Sequence, residues 1–113
     1  MTYGDIADMV AGAAEEIGCS WTYGQWEPGQ DVPSPPYLLF RYPNRADFTA
    51  DNENYLKAEQ LHIELYTDRK DFSAEAAVER ALRLAGLTFD KSEEFIYEEQ
   101  LNEVLFETEV IIT

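Results

Sequence analysis

His62, Ile63 and Glu64 form an H-x-E triplet, the fragment that zinc deaminases use to hold a metal and move a proton. On a strand His62 and Glu64 would share a face. The rest of that signature requires two further cysteines, and the chain has only Cys19. A lone histidine beside carboxylates binds metal weakly, so His62 reads as a surface side chain paired with neighbouring acids. Cys19 has no basic residue near it in sequence to stabilise a thiolate, and reads as a small buried apolar group. The pairs Glu15-Glu16, Glu93-Glu94 and Glu98-Glu99 are adjacent in sequence. Adjacent side chains diverge on a helix or strand, so these pairs do not converge as an acid–base dyad and read as solvated faces. Asp47 to Glu53 looks like a calcium loop but lacks the central glycine and the bidentate glutamate that closes one. There is no glycine-rich phosphate loop, nucleophile elbow or zinc-finger spacing. The chain is therefore expected to be no enzyme and to use no metal and no cofactor.

The elements that would carry these residues follow from periodicity. Ile6, Met9, Val10, Ala13, Ala14 and Ile17 recur at three- and four-residue spacing and predict a helix. Asp5 and Asp8 suit its positive end and Gly18 its stop. Ser20 to Trp26 reads as a short strand, and Glu27 to Pro36, with four prolines, as a stiff loop. Tyr37 to Tyr42 is an apolar strand. Asn44 to Asn54 reads as a long polar loop around Phe48, too long for a tight hairpin turn. Tyr55 to Thr67 is the clearest strand, with Leu61, Ile63 and Leu65 inward and Gln60, His62, Glu64 and Tyr66 outward. A second helix is expected from Ser73, as N-cap, to Ala85, with Ala77, Leu82 and Leu84 or Ala85 on its apolar stripe and Gly86 as its stop. Leu87 to Phe89 and Phe95 to Glu98 are weaker strand segments. Gln100 to Ile112 is a strand with Val104, Phe106, Val110 and Ile112 inward and Glu103, Glu107 and Glu109 outward. The order α-β-β-β-α-β-β predicts one α+β domain over residues 1–113, a mainly antiparallel sheet with two helices on one face.

Charge narrows the functions. The 113 residues include 23 acidic and eight basic side chains, a formal net charge of −15, and no Lys or Arg follows Lys91. Such a field repels polyanions, which argues against specific nucleic-acid binding and against anionic membrane surfaces. No apolar run approaches the length of a membrane span, residues 1–30 carry no secretory pattern, and a single cysteine suits a reducing cytoplasm. The aromatic group Trp21, Tyr23, Trp26, Tyr37, Phe40 and Tyr42 has only Arg41 beside it, so it reads as core or subunit-interface packing and not as a base-stacking platform.

The run DNENYLKAEQLHIELYTDRKD from Asp51 to Asp71, the helix segment Glu75 to Leu82 and the closing YEEQLNEVLFE from Tyr97 to Glu107 resemble short acidic proteins of long-tailed phages and prophages of Gram-positive bacteria. These are minor structural proteins similar to tail terminators, or head–tail joining proteins. The resemblance implies a homo-oligomeric ring, commonly a hexamer, that caps the tail tube and presents a docking surface to head-completion proteins. It also implies residence in the bacterial host cytoplasm during assembly and then in the virion. No residue-level motif transfers with it. The residues themselves suggest Phe48, Asp47, Asp51 and Asn52 as partner contacts; in the ring that the resemblance implies, Glu103, Glu107 and Glu109 would form a face lining a pore through which DNA slides. Other readings are a different phage structural or assembly-chaperone role, or an acidic inhibitor that mimics DNA.

Overall fold

A computed structural model describes residues 1–113. Helix α1 spans Tyr3–Ile17 and opens with a capping box: the Thr2 hydroxyl accepts from the Asp5 amide, and the Asp5 carboxylate accepts from the Thr2 amide. It stops at Gly18, whose φ of 82° places the amide against the carbonyls of Ala14 and Glu15. Strands β1 (Ser20–Tyr23), β2 (Tyr37–Arg41), β3 (Phe48–Ala50) and β4 (Glu53–Thr67) follow, then α2 (Phe72–Leu84), β5 (Asp90–Ile96) and β6 (Leu101–Ile112). The expected α+β class and element order hold, with one strand more between the helices.

The sheet runs β1-β2-β4-β6-β5, with β3 paired to β4 alone. All neighbours are antiparallel except β1 and β2, joined by the proline-rich loop. Both helices cover one face. From β4 and β6 that face receives Leu61, Ile63, Leu65, Val104, Phe106 and Val110, which meet Ile6, Val10, Ala14, Val78 and Leu82 in one core. Phe106 is fully buried there, and its truncation to alanine would cost about 3–5 kcal/mol.

Several sequence-based expectations are corrected. The Asn44 to Asn54 segment is no loop: it contains β3, the outbound leg of a hairpin. Asp51 and Asn52 form its two-residue turn, with φ of 52° and 64°, the left-handed pair that suits Asp and Asn in a tight hairpin. The N-cap of α2 is Asp71, whose carboxylate accepts from the Ala74 amide at 3.0 Å; Ser73 lies inside the first turn. Leu84 faces solvent, 89% exposed, and Glu75 takes a place in the buried stripe. The strand before β6 is Asp90–Ile96, so Leu87 to Phe89 precedes it and Tyr97 and Glu98 belong to the turn.

Candidate interaction surfaces

Three places gather polar or apolar groups beyond what the core needs. The first is the hairpin arm. Its base is closed by the Ala46 amide to the Ala58 carbonyl and the Gln60 amide to the Asn44 carbonyl, both at 2.9 Å. Asp47 fastens this base. Its carboxylate accepts from the Ala58 amide at 3.1 Å, from Asn54 Nδ2 at 2.9 Å and from the Arg45 guanidinium. The Arg45 bond, with the others behind it, holds the Asp47 carboxyl down at about 2. With its side chain only 7% exposed, Asp47 is an internal clamp, not a free contact. Register between β4 and β6 ends at Lys57 and Ile112, so residues 53–56 run on without β6 as a partner. Phe48 is 53% and Tyr55 69% exposed on this arm, and Leu56 is also exposed. The arm helps stretch the molecule to 50 × 31 × 23 Å.

The second place is the sheet face without helices. Cross-strand register sets His62 opposite Glu107, Gln60 opposite Glu109, Tyr66 opposite Glu103, and Glu94 opposite Glu103 on the other side. His62 Nε2 lies 3.3 Å from Glu107, and Gln60 donates to Glu109 at 3.0 Å. Glu103 has no salt-bridge partner, though a hydrogen bond with Tyr66 favours its charged form. Partial burial raises its carboxyl, and the nearby Glu64 and Glu94 raise it further. Glu103, Glu107 and Glu109 thus share one outward face, as their alternation predicted. His62 and Glu64 also share it, but Glu64 is engaged by Arg41 at 3.6 Å and by the Tyr66 hydroxyl at 3.4 Å. No three His, Cys, Asp or Glu side chains stand close enough to hold a metal ion. No helix is long and apolar enough to cross a membrane.

The third place was not expected from the sequence. Glu75 on α2 is 1% exposed. Its Oε1 lies 2.7 Å from the Lys91 ammonium and 2.9 Å from that of Lys70. Lys70 also donates to Glu93 at 2.6 Å, and Asn102 donates to Glu93 at 3.1 Å. The Lys70 bond lowers the Glu93 carboxyl, and Glu75 raises the Lys91 ammonium. This network sits between α2 and the covered face of β5, and Glu93, with its side chain 43% exposed, is its solvent-facing end. The signal was present: Glu75 lies three residues before Val78 and seven before Leu82, on the apolar stripe.

Cys19 is half-buried against the core, and burial pushes its thiol above the ordinary value. The aromatic group divides. Tyr37 and Phe40 are buried, while Trp21 and Tyr23 stand exposed on β1, both packed on Phe40.

The fold defines a class, a two-layer α+β domain with an arm projecting from its central strand. No protein-family model matches the chain, and no curated protein matches it. Among solved structures, a chain in the virion of a native gene transfer agent particle shares this fold. The TM-score is 0.68 over 95% of this chain and 90% of that one, at 14% sequence identity.

Proposed function

We propose that this chain is a non-enzymatic structural protein of a phage-like virion, acting as a tail terminator or head–tail joining protein. The observation that carries the reading is the fold shared with a gene transfer agent virion chain over 95% of this one. In this reading several copies form a ring, commonly six, at the end of the tail tube. The hairpin arm suits such a role, because a rigid lever with an apolar side chain at each leg can reach a neighbouring copy or the tube. Phe48 on β3, with Asp51 and Asn52 at the tip, supplies the contact, and Asp47 holds the lever in shape. The acidic sheet face with Glu103, Glu107 and Glu109 turns toward the channel, where a negative lining offers DNA no cationic trap. Its partners are further copies of itself, the tail tube and the head-completion proteins.

Light scattering on the purified chain tests the oligomer, and electron microscopy of particles made without it tests the station. A ring-sized species, together with heads and tails that fail to join, is the expected outcome. A strict monomer whose loss leaves joined particles overturns the reading. His62→Ala, Glu64→Gln and Cys19→Ser should each support normal assembly, since no chemistry is assigned to them. Failure of folded His62→Ala protein to assemble would contradict the non-catalytic reading.

A further inference from the structure

The proline-rich loop between β1 and β2 turns back over the open sheet face and leaves a trough of about 560 Å³ between itself and the β5–β6 turn. Tyr37 and Tyr66 form its floor, stacked at 5.0 Å between ring centroids with planes 24° apart. Trp26 rises beside them, edge-on to Tyr37 at 5.7 Å. Val32 and Leu101 extend the apolar lining, and Glu99 stands on the rim. Beyond the floor lie Glu64 and Glu103. Burial raises the hydroxyls of both tyrosines, and the surrounding carboxylates, Glu99 and Glu103 at Tyr37 and Glu64 and Glu103 at Tyr66, raise them further. The trough is therefore apolar and aromatic inside and negative around its edge. Arg41, on the same face, is already paired with Glu64, which leaves Glu99 and Glu103 without an ion-pair partner in the chain.

We infer that this trough is a docking site for an arginine side chain of a partner protein, its stem on the aromatic floor and its guanidinium at Glu99 on the rim. An arginine matches both parts of the lining. Its methylenes cover apolar surface while its planar cation stacks on aromatic rings and donates to carboxylates. A phosphate or any other anion is repelled by the same rim, and a purely apolar segment would leave Glu99 facing it uncompensated. Because the trough is complete within one copy, the inference stands or falls separately from the ring.

The test is a titration of the isotope-labelled full chain with tetra-arginine amide at about 150 mM salt, where diffuse surface attraction is screened beyond about 8 Å. Tetra-citrulline amide, of the same shape without charge, is the comparison. Resonance shifts should concentrate at the Trp26 indole, Glu99 and Leu101, and the citrulline peptide should bind about tenfold more weakly or worse. Glu99→Gln should weaken the arginine peptide about threefold. Asp90→Asn, the same loss of charge on the open face away from the trough, should not. Shifts spread over the whole acidic face, or equal weakening by the two variants, would reduce the effect to general electrostatics and overturn the site. Equal binding of the citrulline peptide would make the trough an apolar groove with no preference for a cation. Absence of binding would refute the inference directly.

Discussion

The Glu75 carboxylate lies 2.7 Å from the Lys91 ammonium beneath helix α2, in the stripe where an apolar side chain would ordinarily sit. One oxygen serves both lysines, and the other, Oε2, has no protein partner. A carboxylate so placed is stabilising only while both cations remain, because an uncompensated buried charge is costly.

Glu75→Ala should therefore lower stability by about 1–3 kcal/mol, below the roughly 3–5 kcal/mol of a fully buried pair because the two lysines left behind keep contact with water. Glu93→Ala, at the exposed end of the network, should cost less than about 1 kcal/mol. Urea unfolding of the two variants measures both. Equal small losses would show that α2 docks by its apolar stripe alone.

The arm should respond to acid through Asp47. Its carboxyl is held at about 2, below the ordinary 3.8. A depressed carboxyl contributes stability that is full above the unfolded value and is lost as pH falls toward the folded one. Protection of the Ala46 and Ala58 amides, taken against the intrinsic exchange rate at each pH, should hence hold down to about pH 4 and fall toward pH 2, ahead of the core. Asp47→Ala should show that loosened arm already at neutral pH. Unchanged exchange in Asp47→Ala would remove its role as the clamp.

Phe48→Ser and Tyr55→Ser should leave the isolated subunit's stability within about 0.5 kcal/mol, since both side chains are largely in water. Assembly should suffer instead. Hydrogen exchange on free and assembled protein should show the arm gaining protection on assembly, and either variant should shift the oligomer toward free subunits. Equal protection in both states would leave the arm without a partner.

What could be read in the sequence and what could not divides along a physical line. β4 and β6 bury one face and wet the other, so Leu61, Ile63 and Leu65 and then Val104, Phe106 and Val110 announced both strands and the direction of every glutamate between them. β5 gave no such alternation. Its covered face carries Lys91 and Glu93, whose partners come from Lys70 and Glu75, and a salt-bridged interface has no apolar period to detect. The arm was hidden for another reason: it packs against no core, so neither face carries a continuous apolar period, and only the Asp51-Asn52 turn marked it. The trough was only half visible. Its tyrosines and Trp26 stood out, but nothing in sequence brings Glu99 to their edge.

The open sheet face should reveal whether its charge serves more than solubility. Burial and like charges raise the Glu103 carboxyl above its ordinary 4.5. A raised carboxyl favours the folded state at low pH and loses that contribution as pH rises through the folded value. Glu103→Gln should consequently raise the melting temperature at neutral pH, with little change near pH 3. Replacing Glu103, Glu107 and Glu109 together by lysine should still give folded subunits and assembled particles, but DNA should leave them slowly at low salt. Normal DNA ejection from such particles would reduce the acidic face to a solubility device.

The central claim, that the chain is an assembled part of a phage-like virion, is tested most directly by cryo-electron microscopy of purified particles. The account predicts a closed ring of this fold between the tail tube and the head, with the arm of each copy against its neighbour or the tube. Joined particles in which that position is filled and this chain is absent would contradict it.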